Sequence, residues 1–196
     1  TIRSLRNWGL AVVCSVVLTR MLVTQGVMST VFQLYLNQVY LFDITMIGLV
    51  MTARTATFSA GTFLSGRMID RFGSKSVMAS GLLLVGISMF LYTLVNTFTG
   101  LIPVALLEGF GAATVSVTMM IMLSDVVDSA VRGTAVGLYR TFMDLGGIFG
   151  PIVFMFCYEV FGTRAPFFIG GAMILANIGL VVSVRIPKPK PIQTSS

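Results

Sequence analysis

Five ionisable side chains interrupt long apolar stretches of this sequence. They are Arg20, Arg54, Glu108, Arg140 and Asp144. In hydrocarbon surroundings a charged group costs about 2.5–3.5 kcal/mol on insertion scales, so such groups face a protein interior or a water-filled cavity. The five residues are therefore candidates for binding a substrate or carrying a proton. The alternative is that they form ion pairs that hold helices together.

Two pairings are open within this set. Either Arg20 or Arg54 can pair with Glu108, and such an ion pair would hold two helices together. Arg140 and Asp144 are four residues apart and share a helix face. One interpretation is a local salt bridge between them. The other is that Asp144 is an acid whose charge responds to Arg140 and to substrate. Burial favours the neutral acid and a nearby cation favours the carboxylate. The chain has no histidine, so its side-chain proton carrier would be Glu108 or Asp144.

The composition indicates that lipid is the solvent of the chain. Hydrophobic residues make up 56% and charged residues 10%, whereas about a quarter of a soluble domain is charged. The net charge of +6 does not indicate nucleic-acid binding, because the basic residues are not clustered with aromatic residues. The absence of His, of a metal-ligand cluster and of a GxSxG motif argues against an enzyme, and neither a metal nor a cofactor is predicted. Cys14 and Cys157 fall in apolar runs and are expected to be buried.

The apolar residues are concentrated in six stretches. Each is predicted to be a membrane-spanning helix, because lipid requires an internally bonded backbone. The predicted fold is all-α, with one six-helix bundle over residues 1–186 and a cytoplasmic tail over residues 187–196. The predicted spans are Trp8–Tyr35, Asp43–Ser65, Lys75–Val95, Gly100–Leu123, Ala130–Tyr158 and Ala165–Val184.

The distribution of lysine and arginine predicts the orientation of the bundle. The face that holds the N-terminus carries nine of these residues, and the opposite face carries Arg164. An excess of basic residues marks the cytoplasmic side, so both termini are expected in the cytoplasm and the protein in the plasma membrane. The nine are Arg3, Arg6, Arg67, Arg71, Lys75, Arg132, Arg185, Lys188 and Lys190.

The densest charge lies in the segment GRMIDRFGSK, residues 66–75, between the second and third spans. This segment resembles the G-x-x-x-D-[RK]-x-G-x-[RK] loop of the major facilitator superfamily. The run RGTAVGLYRTFMDLGGIFGP, residues 132–151, is similar to the segment that leads into the fifth helix of the C-terminal half of efflux-type members. The matching gating-loop residues are Gly66, Arg67, Asp70, Arg71, Gly73 and Lys75.

The resemblance implies a transporter of twelve helices, of which this chain supplies the second six. The partner is then a missing N-terminal six-helix half or a second chain, and the substrate is a small organic molecule carried by alternating access. Proton-coupled efflux is the expected activity. A non-transporting assembly partner or receptor, and an importer of sugars or metabolites, are the alternatives.

The resemblance also implies a cytoplasmic latch. A neighbouring helix is expected to approach Gly66, and Asp70 to reach the N-terminus of the fifth helix near Ser129, with Arg71 and Lys75 competing for its carboxylate. A plain basic anchor with a solvated Asp70 is the alternative. Close helix packing and a kink are expected at Gly146, Gly147, Gly150 and Pro151, because small residues let membrane helices touch.

Overall fold

The computed structural model of the chain describes residues 2–127 and 132–183, which form helices joined by short turns. No strand occurs in these two ranges. The helices are α1 (Ile2–Val23), a π-helical segment (Thr24–Val31), α2 (Phe32–Tyr40), α3 (Ile44–Phe72), α4 (Ser74–Leu94), α5 (Phe98–Val126), α6 (Arg132–Phe161) and α7 (Ala165–Ser183). Because α1, the π segment and α2 are continuous, the described chain is a bundle of six long helical rods.

Five of these rods are long and apolar enough to cross a membrane. They are Trp8–Tyr40, Ser74–Leu94, Phe98–Asp125, Arg132–Phe161 and Ala165–Ser183. The exception is α3, in which Ile44, Leu49 and Phe63 are exposed beside a strip of small polar residues and glycine, at Thr45, Gly48, Thr52, Thr55, Ser59 and Thr62. The predicted second span is therefore a long helix, but it is less apolar than the other five.

The charged segment at residues 66–75 is not a loop, so that prediction is wrong. Helix α3 continues through it to Phe72, and the break before α4 consists of Gly73 alone. Gly73 has φ 81° and ψ 150°, a conformation that is essentially restricted to glycine. Its N–H still bonds Ile69 O at 2.8 Å and its carbonyl accepts from Val77 N at 3.2 Å. The charged end of α3 is stable here because its backbone hydrogen bonds continue almost without interruption into α4.

The turns at the opposite end use side-chain caps. Asp43 accepts a hydrogen bond from Met46 N at 2.9 Å and begins α3, as its position before the apolar run predicts. Thr97 caps α5 by accepting from Gly100 N at 3.3 Å. The first rod ends at Tyr40 and not at Tyr35 as predicted, and Leu41, with φ 56°, reverses the chain.

Neighbouring rods pack in the order α3, α5, α4, α7, α1 and α6. Glycines lie at the closest approaches because a Cβ there would collide with the next helix. On Gly146 it would lie 2.7 Å from Leu18 O, and on Gly150 2.6 Å from Leu22 O, so these two residues let α6 contact α1. Gly147 is not at this contact, since its nearest neighbour is Gln25 Cγ at 4.0 Å. Pro151 lies inside α6.

The π-helical segment also packs closely against α6. A Cβ on Gly26 would collide with the carbonyl of Gly150 and the ring of Phe154. Within the wider turns, Ser29 Oγ donates to Thr24 O at 3.3 Å and Thr30 Oγ1 to Gln25 O at 3.0 Å. The two hydroxyls bond carbonyls five residues earlier, which is the spacing of a π-helix.

Several predictions concern residues outside the described ranges. They include the cytoplasmic tail at residues 187–196 with its basic residues, the end of the predicted six-helix bundle at 184–186, and the start of the fifth span at Ala130. The proposed contact of Asp70 near Ser129 also falls outside the residues that the structure describes.

Candidate functional site

The centre of the bundle holds an ion pair between two helices. Arg54 on α3 contacts Glu108 on α5 through both carboxylate oxygens, with Nε bonded to Oε2 and Nη2 to Oε1 at 3.1 Å. The side chain of Glu108 is 1% exposed and that of Arg54 is 18% exposed. Gly109 lets the two helices meet here, because a Cβ on it would collide with the carbonyl of Arg54. Of the two pairings open from the sequence, the structure forms Arg54–Glu108.

Arg20 lies beside this pair without joining it. It is 8% exposed, and its Nη2 donates to the carbonyl oxygen of Ala112 at 3.1 Å. Ala112 is one helical turn beyond Glu108 on α5, so Arg20 contacts that helix about 6 Å along its axis from the position of Glu108. No carboxylate among the described residues forms an ion pair with Arg20.

Tyr92 on α4 is a further buried polar residue, and the sequence reasoning missed it. The residue is fully buried, and its hydroxyl has no hydrogen-bond partner among the residues that the structure describes. Its ring packs against those of Phe32, with centroids 4.5 Å apart, and Phe167, with centroids 6.5 Å apart. The only sequence signal for Tyr92 is a hydroxyl near the end of an apolar helix. We call Arg20, Arg54 and Glu108 the central cluster.

Arg140 and Asp144 occupy a different setting on α6. Both are exposed, and no hydrogen bond or ion pair joins them to each other or to another described residue. The local salt bridge that their spacing allows is therefore not formed. At 100° per residue, Gly137, Gly147 and Pro151 fall on the same strip of the helix.

A second exposed strip of α6 is apolar and points away from the first. It includes Leu138, Leu145, Phe149 and Phe156. Gln25 Cγ lies 4.0 Å from the position of a Cβ on Gly147, and Gln25 Oε1 accepts from Ser29 Oγ at 2.9 Å. The polar strip of α6 and the π-helical segment thus form one polar surface, while the apolar strip is suited to lipid.

The charged helix end at residues 66–75 is organised differently from the predicted latch. Lys75 Nζ donates to Val182 O at 3.0 Å near the C-terminal end of α7, where a cation is favoured by the helix dipole. Arg71 lies 5.3 Å from the ring centroid of Phe72. Arg67 and Asp70 are exposed, and Asp70 has no hydrogen bond to a described residue. The expected close neighbour of Gly66 is absent from the described chain, since a Cβ there would meet nothing within 4 Å.

The opposite end of the bundle is held by aromatic residues and neutral hydrogen bonds. The hydroxyls of Tyr35 and Tyr40 are 3.0 Å apart, and Tyr40 donates to Asn96 Oδ1 at 3.1 Å. Tyr158 on α6 donates to Gln38 Oε1 at 2.8 Å. These bonds connect the end of α2 to the α4–α5 turn and to α6. The sequence reasoning did not identify them. Two of the three, Tyr40–Asn96 and Tyr158–Gln38, join residues far apart in the chain.

No group of three or more His, Cys, Asp or Glu side chains in residues 2–127 and 132–183 is placed to hold a metal ion. Cys14 and Cys157 are both buried free thiols. The chemistry available in the central cluster is therefore hydrogen bonding and charge, provided by two guanidinium groups and one carboxylate.

Comparison with known proteins agrees with this arrangement. Residues 13–196 match the sequence pattern of the Major Facilitator Superfamily. Multidrug resistance protein 1 of Bacillus subtilis (strain 168) is 32% identical over 129 residues, which cover 65% of this chain and 33% of that protein. Quinolone resistance protein NorA of Staphylococcus aureus (strain MRSA252) is 31% identical over 124 residues, covering 63% of this chain and 32% of NorA.

A vertebrate relative is also similar. The probable vesicular acetylcholine transporter-B of Danio rerio is 29% identical over 125 residues, covering 63% of this chain and 25% of that protein. The matched part of the chain therefore spans a quarter to a third of the length of these three relatives. The matches and the apolar helices together show a multi-pass membrane protein.

Proposed function

Because the chain belongs to the Major Facilitator Superfamily, we propose that it forms the second six-helix half of a secondary active transporter that exports small organic molecules. The names of two relatives, a multidrug resistance protein and a quinolone resistance protein, support export of such compounds. The limited share of each relative that the chain covers supports a first half, or a second chain, as its partner.

Alternating access is the proposed mechanism, with the substrate bound near the membrane midplane between two halves. Two exposed surfaces fit contact with another half or with a water-filled cavity better than contact with lipid. One is the threonine- and serine-rich side of α3, and the other is the strip of α6 with Arg140 and Asp144. The observation that carries the proposal is this second strip, because it holds an exposed acid and base inside an otherwise apolar helix.

Asp144 is the proposed proton-coupling group of this half. It lies about 18 Å along α6 from Arg132, at 1.5 Å per residue, and so well inside the membrane. Glu108 is bonded to Arg54 on both oxygens, whereas Asp144 forms no bond with any described residue. An exposed acid can exchange protons with a water-filled cavity, and Arg140 one turn away can modulate its charge.

The flux test uses the complete natural protein in liposomes. Two dyes with the same three-ring framework, cationic rhodamine 123 and anionic carboxyfluorescein, are supplied with and without an imposed pH gradient. At least one dye should accumulate only when the gradient is present, and an ionophore that collapses the gradient should abolish accumulation. Liposomes without protein are the control. Equal dye movement in all conditions would favour a non-transporting member of the family.

The orientation proposal places both termini and the 66–75 helix end in the cytoplasm. Arg67, Arg71, Lys75 and Arg132 lie at one end of the rods, and Arg164 lies in the α6–α7 turn at the other end. A cysteine in place of Thr163 should react with an impermeant thiol reagent added outside intact cells, and a cysteine in place of Ser76 should react only after the cells are opened. The reverse pattern contradicts this orientation.

The latch at Asp70 is proposed as a contact made only when the cytoplasmic side is closed. Its exposure leaves the carboxylate free to meet a helix N-terminus, where negative charge is stabilised. Asp70→Asn should preserve expression and slow dye flux, with the cytoplasmic side more accessible to thiol reagents. Glu159→Gln, which removes an exposed acid of α6 outside this segment, is the control. Unchanged flux in a well-expressed Asp70→Asn protein would contradict the latch and leave the 66–75 segment only its role as a basic anchor.

A further inference from the structure

A groove with a volume of about 430 Å³ lies between the N-terminal parts of α1 and α6. Apart from one hydroxyl its lining is apolar, since a buried thiol behaves as a small hydrophobe. The groove extends from Leu10 to Leu18, or about 12 Å along α1 at 1.5 Å per residue. Its walls include Leu10, Ala11, Cys14 and Leu18 of α1, and Leu138 and Phe142 of α6.

The groove follows from the pattern of large and small residues on α6. Leu138, Phe142, Gly146 and Gly150 are spaced by four and form one ridge of the helix. The two glycines let α6 touch the backbone of α1. Leu138 and Phe142 are larger, so they hold the helices apart and leave a gap on the N-terminal side of the glycine contact.

The mouth of the groove lies at the level expected for lipid headgroups. Trp8, the only tryptophan of the chain, is 50% exposed and comes two residues before Leu10. Tryptophan is enriched where a membrane meets water. Arg132, at the start of α6, is exposed and precedes Leu138 by six residues, or about 9 Å along the helix.

The same end of the bundle is basic. Among the described residues it carries four basic side chains and two acidic ones, so its charge is positive. Phospholipids with negative headgroups are attracted to such a surface. The six residues are Arg67, Arg71, Lys75, Arg132, Asp70 and Asp125.

The size of the groove distinguishes a hydrocarbon chain from a protein helix. A helix about 10 Å wide and 12 Å long occupies about 900 Å³, which is twice the volume of the groove, so a helix can cover it but not fill it. A single lipid chain is narrower. Leu138 also belongs to the exposed apolar strip of α6, so the groove is continuous with the surface suited to lipid.

We propose that this groove binds one hydrocarbon chain of an anionic phospholipid, whose headgroup lies at Arg132. An unfilled groove would leave its lining without contacts on one side, and a chain from the adjoining leaflet supplies them. The lipid site goes beyond the proposed function, because it depends neither on a substrate nor on a gradient.

Lipid binding to the purified complete protein, measured by native mass spectrometry, tests the headgroup contact. Dioleoyl phosphatidylglycerol and dioleoyl phosphatidylcholine have the same chains and differ in headgroup charge. Phosphatidylglycerol should bind about fivefold or more tightly, the effect of one basic residue near a membrane surface. Arg132→Gln should remove most of this preference, and Arg164→Gln, at the other end of the bundle, should preserve it.

A larger side chain in the groove tests where the lipid chain lies. Ala11→Phe should weaken phosphatidylglycerol binding by about tenfold, because the ring occupies the space of the chain. Ala172→Phe is the matched control, since Ala172 is equally exposed but lies on α7 and outside the groove.

The two cysteines give a second measurement that needs no substitution. Cys14 lines the groove and Cys157 does not, although both are buried free thiols. In nanodiscs, N-ethylmaleimide should alkylate Cys14 about threefold or more slowly with phosphatidylglycerol than with phosphatidylcholine. Cys157 should react equally in both, and mass spectrometry of the two peptides follows each residue.

Equal affinity for the two lipids would overturn the proposal. So would unchanged phosphatidylglycerol binding in Ala11→Phe, which is the result expected if a helix of another half covers the groove. If Ala11→Phe does not fold, equal alkylation of Cys14 in the two lipids would be the contradicting result. These outcomes are independent of dye flux, so the lipid site and the proposed transport stand or fail separately.

Discussion

Two arginine–acid pairs lie within the apolar helices of this protein, and their surroundings are opposite. Arg54 and Glu108 belong to different helices, α3 and α5, and are bonded through both carboxylate oxygens with Glu108 almost fully buried. Arg140 and Asp144 lie one turn apart on α6, yet both are exposed and not bonded to each other. The pair that is distant in sequence is formed, and the pair that is close in sequence is not.

The difference teaches which charges hold the bundle together. Removing one partner of a buried pair leaves an unpaired charge away from water, which costs several kcal/mol. An exposed pair on one helix face contributes about 0.2–0.5 kcal/mol. We therefore expect the first pair to determine folding, and the second to be free for substrate and protons.

The largest expected effect on folding is that of Glu108→Ala. This change leaves Arg54 and Arg20 without the only carboxylate of the central cluster, and we expect it to destabilise the protein by about 3–5 kcal/mol. The measurement is the thermal unfolding midpoint of the complete protein in detergent. Glu159→Ala removes an exposed acid from α6 as the control, and equal midpoints for the two variants would contradict the structural role of Glu108.

A smaller loss is expected when both partners are replaced by apolar residues. Arg54→Met combined with Glu108→Leu removes both charges, and replacing a buried pair in this way is often nearly neutral. The double variant should be more stable than Arg54→Met or Glu108→Leu alone, with a coupling energy of about 0.5–3 kcal/mol in a double-mutant cycle. Simple additivity of the two single changes would indicate that the pair contributes no net interaction.

Asp144→Asn should change folding little, by less than about 0.5 kcal/mol, since surface substitutions usually have effects of this size. It mimics the protonated acid, so dye binding should remain while accumulation driven by the pH gradient is lost. Accumulation and equilibrium binding are measured on the same preparation, with Asp43→Asn at the start of α3 as the matched control. If accumulation continues at the unmutated rate, Glu108 or another part of the protein carries the coupling proton.

The smallest effect on stability is expected when Arg140 or Asp144 is replaced by alanine. Arg140→Ala and Asp144→Ala should each shift the unfolding midpoint only slightly, and their stability effects should add within about 0.3–0.5 kcal/mol. A strong rescue in the double variant would show that the two side chains pair in the folded protein, contrary to the structure.

Much of the fold was predictable because lipid imposes it. Long apolar runs must become helices in a bilayer, and the structure contains all six rods with ends that differ from the predictions by a few residues in most cases. The main error was at residues 66–75, where charge was interpreted as a loop. Charged residues at a membrane surface can remain helical, and the one real break occurs where Gly73 adopts a conformation that other residues rarely reach.

The candidate site was predictable only as a set of residue types. Arg20, Arg54 and Glu108 were selected because charge is costly in an apolar run, and they do lie close together. Tyr92 was missed, because a tyrosine in an apolar helix is common, and only the three-dimensional structure shows that its hydroxyl has no hydrogen-bond partner among the described residues. The aromatic residues and hydrogen bonds around Tyr35 and Tyr40 were missed for the same reason.

The order and length of the apolar runs were enough to determine an all-α membrane bundle, because the bilayer leaves a chain few ways to satisfy its backbone. The same sequence left open which arginine pairs with Glu108 and whether Arg140 bonds Asp144. Only the tertiary structure decided these questions. Pairing between helices depends on which faces meet, and that depends on small-residue contacts such as Gly109 against Arg54 and Gly150 against Leu22, which no local pattern of the sequence specifies.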